Sequence, residues 1–267
     1  MSNEPRVWVH SDVAELERVA ASRFLRKLAQ AIADFGEATV VLTGGTVGIG
    51  VLAAVNADPA RDDFPWDRLN VWWGDERWVP KDSPDRNERQ ARKALLDHVP
   101  LDPARIHPFP ASDEGLTLDE AADAYAAELL AHAPRGQSLP AFDVTFLGVG
   151  PDGHIASLFP ESEGIRERER TVVAVRNSPK PPPERLSLTL PVINSSARVV
   201  IVLAGADKAS VLGLALAGAS QIEVPVAGVL GRRRTLFHVD AAGAAEVPQN
   251  LIDPGAYWTA ADDVTQS

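Results

Sequence analysis

Asp152 and His154, two residues apart in the segment FDVTFLGVGPDGHIASLFP at 142–160, are the side chains best suited to acid–base chemistry. An imidazole with its ordinary pKa near ~6.5 exchanges a proton at neutral pH, and a neighbouring carboxylate can orient the ring or a water molecule. The segment carrying them begins as an apolar strand at 143–147 and then meets glycines at 148, 150 and 153. Glycine has no Cβ, so the backbone can turn sharply there and approach a ligand closely. An Asp in a turn also serves as an Asx turn or helix cap, and a single His as a surface residue, so this pair needs companions before it reads as a site.

Companions exist. Thr43-Gly44-Gly45-Thr46 follows a short apolar run and precedes another, which predicts a strand, a glycine turn and a helix whose free amides favour an anion. A phosphate fits there, or the glycines only make a tight strand-to-helix turn; no Lys-Ser/Thr pair follows them and GxGxxG is absent, which disfavours a nucleotide. Asp75, Glu76 and Arg77 end a second strand; Arg77 has the fork that grips a phosphate, or it pairs with the adjacent carboxylates as surface charges do. Asn87 offers a donor to sugar hydroxyls or a cap for the helix after it. Lys208 opens a helix, where a cation opposes the dipole. Lys180 and Arg185 sit in a loop stiffened by Pro179, Pro181, Pro182 and Pro183. Arg232, Arg233 and Arg234 read as a solvated basic run. The remaining histidines, His10, His98, His107, His132 and His238, show no ligand spacing with one another or with Glu, so no metal is expected.

Composition narrows the partners. With a net charge of −11, the chain disfavours nucleic acid and anionic membranes, and an anionic substrate needs local cations to overcome that repulsion. The absence of cysteine removes disulfides, thiolate metal sites and a cysteine nucleophile, which fits a reducing cytoplasm. The start, MSNEPRVWVH, lacks the regions of a signal peptide, and no apolar run reaches the ~18 residues of a membrane span. The expected setting is cytoplasmic.

The elements that must position these residues recur as strand, glycine turn and helix. Strands are expected at 7–9, 39–42, 69–73, 143–147, 171–175, 198–203 and 235–239, with a half-buried strand where Leu186, Leu188 and Leu190 alternate with Ser187 and Thr189. Asp12 and Glu15 predict a capping box for a helix that ends near Gly36, and further helices are expected at 47–55, 88–96 and 118–130. The order favours an α/β fold with a doubly wound, mostly parallel, Rossmann-like sheet flanked by helices. Residues 1–267 are expected to form a single main domain with smaller peripheral elements, frayed at 260–267.

Taken in order, LTGGT, WWGDERWVP, Asn87, FLGVGPDGHIASLFP, PKPPPERLSLTLPVIN and LAGADKASVL resemble the 6-phosphogluconolactonase family, which shares its fold with glucosamine-6-phosphate deaminases. The resemblance runs from about residue 40 to 208 and loosely beyond. It implies hydrolysis of 6-phospho-D-glucono-1,5-lactone to 6-phosphogluconate in the oxidative pentose phosphate pathway, without a cofactor. On the family's pattern His154 is the general base and Asp152 orients the ring or the water. Gly44, Gly45, Thr46, Arg77 and Lys208 surround the phosphate, with Arg77 also available to the oxyanion, and Arg185 closes over the substrate. Asp75 and Asn87 complete the substrate-binding set. The family commonly has Ser-Thr-Pro after the paired glycines, whereas Thr46-Val47-Gly48 stands here. Two alternatives remain: a glucosamine-6-phosphate deaminase, which usually carries a glutamate where this chain has Phe159, and a silent sugar-phosphate sensor.

Overall fold

The structure, a computed structural model, describes residues 5–247 and Ile252, so the tail at 260–267 lies outside the described residues. In chain order the strands are β1 (Arg6–His10), β2 (Ala38–Leu42), β3 (Leu69–Trp73), β4 (Asp75–Arg77), β5 (Ile106–His107), β6 (Val144–Gly148), β7 (Val172–Val175), β8 (Arg185–Leu188), β9 (Arg198–Leu203) and β10 (Arg234–Asp240). The helices are α1 (Val13–Phe35), α2 (Thr46–Ala57), α3 (Asn87–Ala94), α4 (Leu118–Ala131), α5 (Glu163–Arg166), α6 (Leu190–Asn194) and α7 (Ala209–Leu216).

Seven strands form one sheet in the order β1-β10-β9-β6-β2-β3-β5, and every pairing in it is parallel. Parallel strands covered on both faces should read as unbroken apolar runs, and ATVVL of β2 is buried at all five positions. Helix α1 forms where Leu16, Ala20, Phe24 and Leu28 present one buried stripe. Its first turn is satisfied by Asp12, whose carboxylate accepts from the Glu15 amide at 2.8 Å, while Glu15 reaches back to the Ser11 amide at 2.7 Å. Gly36 ends it at φ +87°, a left-handed conformation that glycine adopts without strain.

The chain runs outward from β2 to β3 and β5, then returns to lay β6 on the other side of β2, and continues through β9 and β10 toward β1. Between β2 and β6 the direction of winding therefore reverses. Loops leaving the carboxyl ends of those two strands diverge, and a crevice opens between them.

Three features depart from the expectations. Asp75–Arg77 does more than end the strand at 69–73: it is β4, which pairs antiparallel with β8 in a second sheet of order β4-β8-β7. The alternation at 186–190 does not mark a half-buried strand. All four residues of β8 are buried, and Leu190 begins α6. Burying its polar residues is tolerable because the Ser187 hydroxyl donates to the Leu188 carbonyl at 2.9 Å and Thr189 to the Arg170 carbonyl at 2.8 Å. The two-residue β5 gives no periodic signal. No helix among the described residues is long and apolar enough to cross a membrane.

Candidate active site

The crevice at the winding reversal is a cavity of about 580 Å³, and its walls come from three turns at the carboxyl edge of the sheet. The turn after β2 supplies Gly44, Gly45 and Thr46; the turn after β6 supplies Gly148, Gly150 and His154; the segment after β9 supplies Lys208. The second sheet closes the remaining side with Asp75, Arg77 and Arg185, and Asn87 joins them from the start of α3. All the expected site residues except Asp152 thus line one cavity, and Asp152 stands directly behind His154.

Asp152 Oδ1 lies 2.5 Å from His154 Nδ1. Burial raises the Asp152 carboxyl, but the hydrogen bond and charge of His154, with the Lys180 ammonium, outweigh it and hold the group at about 2. The carboxylate is therefore ionised at neutral pH and can only accept, so the proton between the two groups belongs to Nδ1. In the neutral ring the lone pair is then on Nε2, the form a general base requires. The turn leaves no room for anything else: a Cβ on Gly150 would sit 2.0 Å from His154 Nδ1 and 2.4 Å from Asp152 Oδ1. Gly153 permits the reversal at φ +83°.

The turn after β2 has a different construction. Gly45 caps α2 at φ +80° without a side-chain hydrogen bond, so the first amides of a twelve-residue helix are free for a ligand. Gly44 packs under α3, where a Cβ would lie 1.9 Å from Asn87 Oδ1. Gly48, where the family commonly has proline, is explained by Thr43: a Cβ there would stand 2.7 Å from Thr43 Cγ2 and 3.1 Å from the Thr43 carbonyl. Thr43 Oγ1 in turn accepts from the Gly148 amide at 3.3 Å, tying the turn after β2 to the turn after β6.

Arg77 is not spent on its neighbours. One Nη1 donates to the Asp85 carbonyl at 2.6 Å, while its buried Nε has no hydrogen-bond partner among the described residues. A buried guanidinium edge left unpaired costs free energy unless a ligand meets it. Its place is set by the adjacent Glu76, 1% exposed, whose carboxylate accepts from the amides of Arg77, Asn87 and Glu88 at 2.8, 2.7 and 2.9 Å. That one carboxylate caps α3 and pins β4 against it.

Three expectations change in detail. The Asn87 amide donates to the Asp75 carbonyl at 2.9 Å, so the atom it presents without a partner is the acceptor Oδ1 and not a donor for sugar hydroxyls. Asp75 is largely committed to the framework, since its Oδ2 accepts from the Ser157 hydroxyl at 2.7 Å. Arg185 is no lid. It is 5% exposed, and donates to the carbonyls of Pro182, Lys180 and Pro181 at 3.1, 3.1 and 3.0 Å, because β8 anchors it at the cavity floor. What it holds in place is Lys180, its companion in the proline-rich loop, which also lines the cavity. Lys180 Nζ lies 3.8 Å from Asp152, and burial, Lys208 and Arg185 pull its ammonium below the ordinary value against the attraction of Asp152. The proline-rich loop around it was the available signal. Lys208 precedes α7 and is ion-paired with Asp207.

One statement about the other histidines fails. Glu128 in the last turn of α4 and His132 at its C-cap are four residues apart, and His107 of β5 meets them, so three groups with metal-ligating atoms converge outside this cavity.

Comparison with known proteins gives the following. The family described as glucosamine-6-phosphate isomerases/6-phosphogluconolactonase matches residues 11–237. The chain is 50% identical to a 6-phosphogluconolactonase of Streptomyces coelicolor over 260 residues, covering 96% of this chain and 100% of that one. It is 44% identical to a 6-phosphogluconolactonase of Mycobacterium tuberculosis over 250 residues, or 93% of this chain and 100% of the relative. The solved 6-phosphogluconolactonase from Trypanosoma brucei superposes with a TM-score of 0.80 at 28% identity, covering 92% of this chain and all of that one.

Proposed function

The chain belongs to the glucosamine-6-phosphate isomerase/6-phosphogluconolactonase family, and from that premise we propose how its residues divide the work of hydrolysing 6-phosphogluconolactone in the pentose phosphate pathway. The observation that carries the reading is the Asp152–His154 pair, which leaves a basic Nε2 on a cavity walled by Arg77, Lys180, Lys208 and the start of α2.

In this reading the phosphate of the substrate occupies the cationic wall, against the free amides after Gly45 and the unpaired edge of Arg77. That contact anchors the substrate so that its lactone carbonyl faces His154. Nε2 takes a proton from water as the water oxygen bonds to the carbonyl carbon, and the carbonyl π electrons move to its oxygen. Collapse of the tetrahedral intermediate restores the C=O and breaks the bond to the ring oxygen, which takes the proton back from the imidazolium. Asp152 stabilises the imidazolium while it exists and keeps the ring in register. Water is consumed and the hydroxy acid is released.

Phe159 disfavours a deaminase. Its ring lies 4.6 Å from the His154 ring and is buried, so the position where deaminases carry a glutamate cannot relay a proton here. We extend the proposal to one domain, supported by a core continuous from α1 through both sheets, and to a cytoplasmic setting, because a phosphorylated sugar does not cross a bilayer unaided. The test is acid release from freshly generated 6-phosphogluconolactone, run beside ammonia release from glucosamine 6-phosphate. His154→Ala should abolish the first while product still binds; full turnover in that variant refutes the assignment of the base.

A further inference from the structure

The three groups outside the active site can hold a metal. His107 sits on the edge strand β5, Glu128 lies in the last turn of α4, and His132 is the C-cap of that helix, one turn further on. Glu128 Oε1 is 2.9 Å from His107 Nδ1 and 3.5 Å from His132 Nδ1, and one ligating atom from each residue falls within 4.8 Å of the others. Ligands ~2.1 Å from a tetrahedral ion stand about 3.4 Å apart, so Glu128 already keeps near-coordinating distances to both rings. Only the rings need to approach one another.

The rings are also restrained. Trp72 stacks on His107 with centroids 4.1 Å apart at 12°, and meets His132 edge-on at 5.6 Å. His132 Nδ1 lies 3.0 Å from the Glu128 carbonyl, a hydrogen bond that gives way when this nitrogen takes a metal. His107 is 5% exposed, whereas the side chains of Glu128 and His132 remain 45% and 44% exposed, so an ion has a route in. Beside them lies a second cavity of about 660 Å³, lined by His107, His132, Thr39, Asn70 and Asp143. Thr39, Asn70 and Asp143 mark the amino ends of β2, β3 and β6, so this cavity is at the opposite edge of the sheet from the active site.

We propose that His107, Glu128 and His132 form a binding site for a divalent transition metal, with the fourth position open to the second cavity. Two imidazoles and one carboxylate suit Zn²⁺, and disfavour Mg²⁺ or Ca²⁺, which want oxygen ligands. Bound there, the ion ties the two-residue β5 to α4 and stabilises the folded state without touching the lactone. It is a site distinct from the catalytic pair, whose own imidazole could also attract zinc.

The test therefore uses metal-stripped protein carrying His154→Ala, titrated with ZnCl₂ by calorimetry and with CoCl₂ by absorption. The expected result is one equivalent bound, a cobalt spectrum of tetrahedral intensity, and a rise in Tm with added zinc. His132→Ala, at an exposed position, and Glu128→Gln should each weaken zinc binding at least tenfold and remove the Tm rise. In the chain that keeps His154, both variants should retain lactone hydrolysis within twofold. Absence of saturable binding in the His154→Ala protein, or binding undiminished by His132→Ala and Glu128→Gln, overturns the proposal.

Discussion

Replacing Gly150 with alanine tests the catalytic pair by sterics alone. Gly150 does not occupy the left-handed region, so alanine is acceptable to its backbone. The new Cβ, however, would lie 2.0 Å from His154 Nδ1 and 2.4 Å from Asp152 Oδ1, where contacts need roughly 3.5 Å. Both clashing atoms are side-chain atoms, so the fold can absorb the change by turning the ring away from the carboxylate. The protein should then lose its oriented base while keeping its core. General-base catalysis contributes about 10²–10⁴-fold, so kcat should fall at least ~100-fold, about 2.7 kcal/mol of transition-state stabilisation. KM should stay within about threefold because Arg77, Lys208 and the turn at 44–46 do not meet the new Cβ. The assay is proton release from fresh lactone, corrected for spontaneous hydrolysis, with the melting temperature as a control. A stably folded Gly150→Ala protein within tenfold of the native kcat would refute the claim that the Asp152–His154 contact matters to the chemistry.

Further perturbations separate the other parts of the site. Arg77→Lys removes the unpaired Nε edge, and should weaken 6-phosphogluconate binding about 10–100-fold by calorimetry, the ~1.5–3 kcal/mol of hydrogen bonds to a charged group; unchanged affinity would remove Arg77 from the anion site. Gly44→Ala drives a Cβ to 1.9 Å from Asn87 Oδ1 and should break the Asn87–Asp75 link, costing about 1–3 kcal/mol in urea unfolding; a native midpoint would show that the two loops are not interlocked there. His238, 1% exposed and 3.0 Å from His10, is held neutral because burial pushes its pKa well below the ordinary 6.5. The unfolded chain therefore binds a proton that the folded one refuses as pH drops below 6.5, so stability present above that value should decline with a slope approaching ~1.36 kcal/mol per pH unit between pH 6.5 and 5. His238→Leu should flatten that slope, and an identical pH profile in the variant would exclude His238 as its source.

The sequence carried the sheet well where signals are local. The apolar runs of β2, β3, β6, β9 and β10, and the capped, periodic α1, appear close to their expected bounds, because parallel strands and amphipathic helices leave patterns within one element. The glycine turns were equally legible, since each places a donor or a base at the end of such a run. Pairings between distant segments were not. Asp75–Arg77 looks like the end of the preceding strand until β8, more than a hundred residues later, gives it a partner, and Arg185 looks like a residue of the stiffened loop until that pairing buries it. Lys180 was visible beside Arg185, but its place in the cavity was not, for the same reason: three backbone carbonyls hooked by Arg185 set its position. The His107–Glu128–His132 meeting was half visible, because Glu128 and His132 are four apart on a helix, and half hidden, because β5 is too short to announce itself.

The reversal of winding between β2 and β6 has a further effect on how activity arises. The glycine turn at 44–46 and Arg77 belong to the first third of the polypeptide, while His154, Lys180 and Lys208 come from beyond its midpoint. On the proposed division of work neither portion can recognise or cleave the lactone by itself, and the Thr43–Gly148 bond, the β2–β6 and β4–β8 pairings and the Asp75–Ser157 bond join them. During synthesis or refolding, turnover should therefore appear last, after the two halves have docked, which makes the recovery of hydrolysis a sensor of complete assembly.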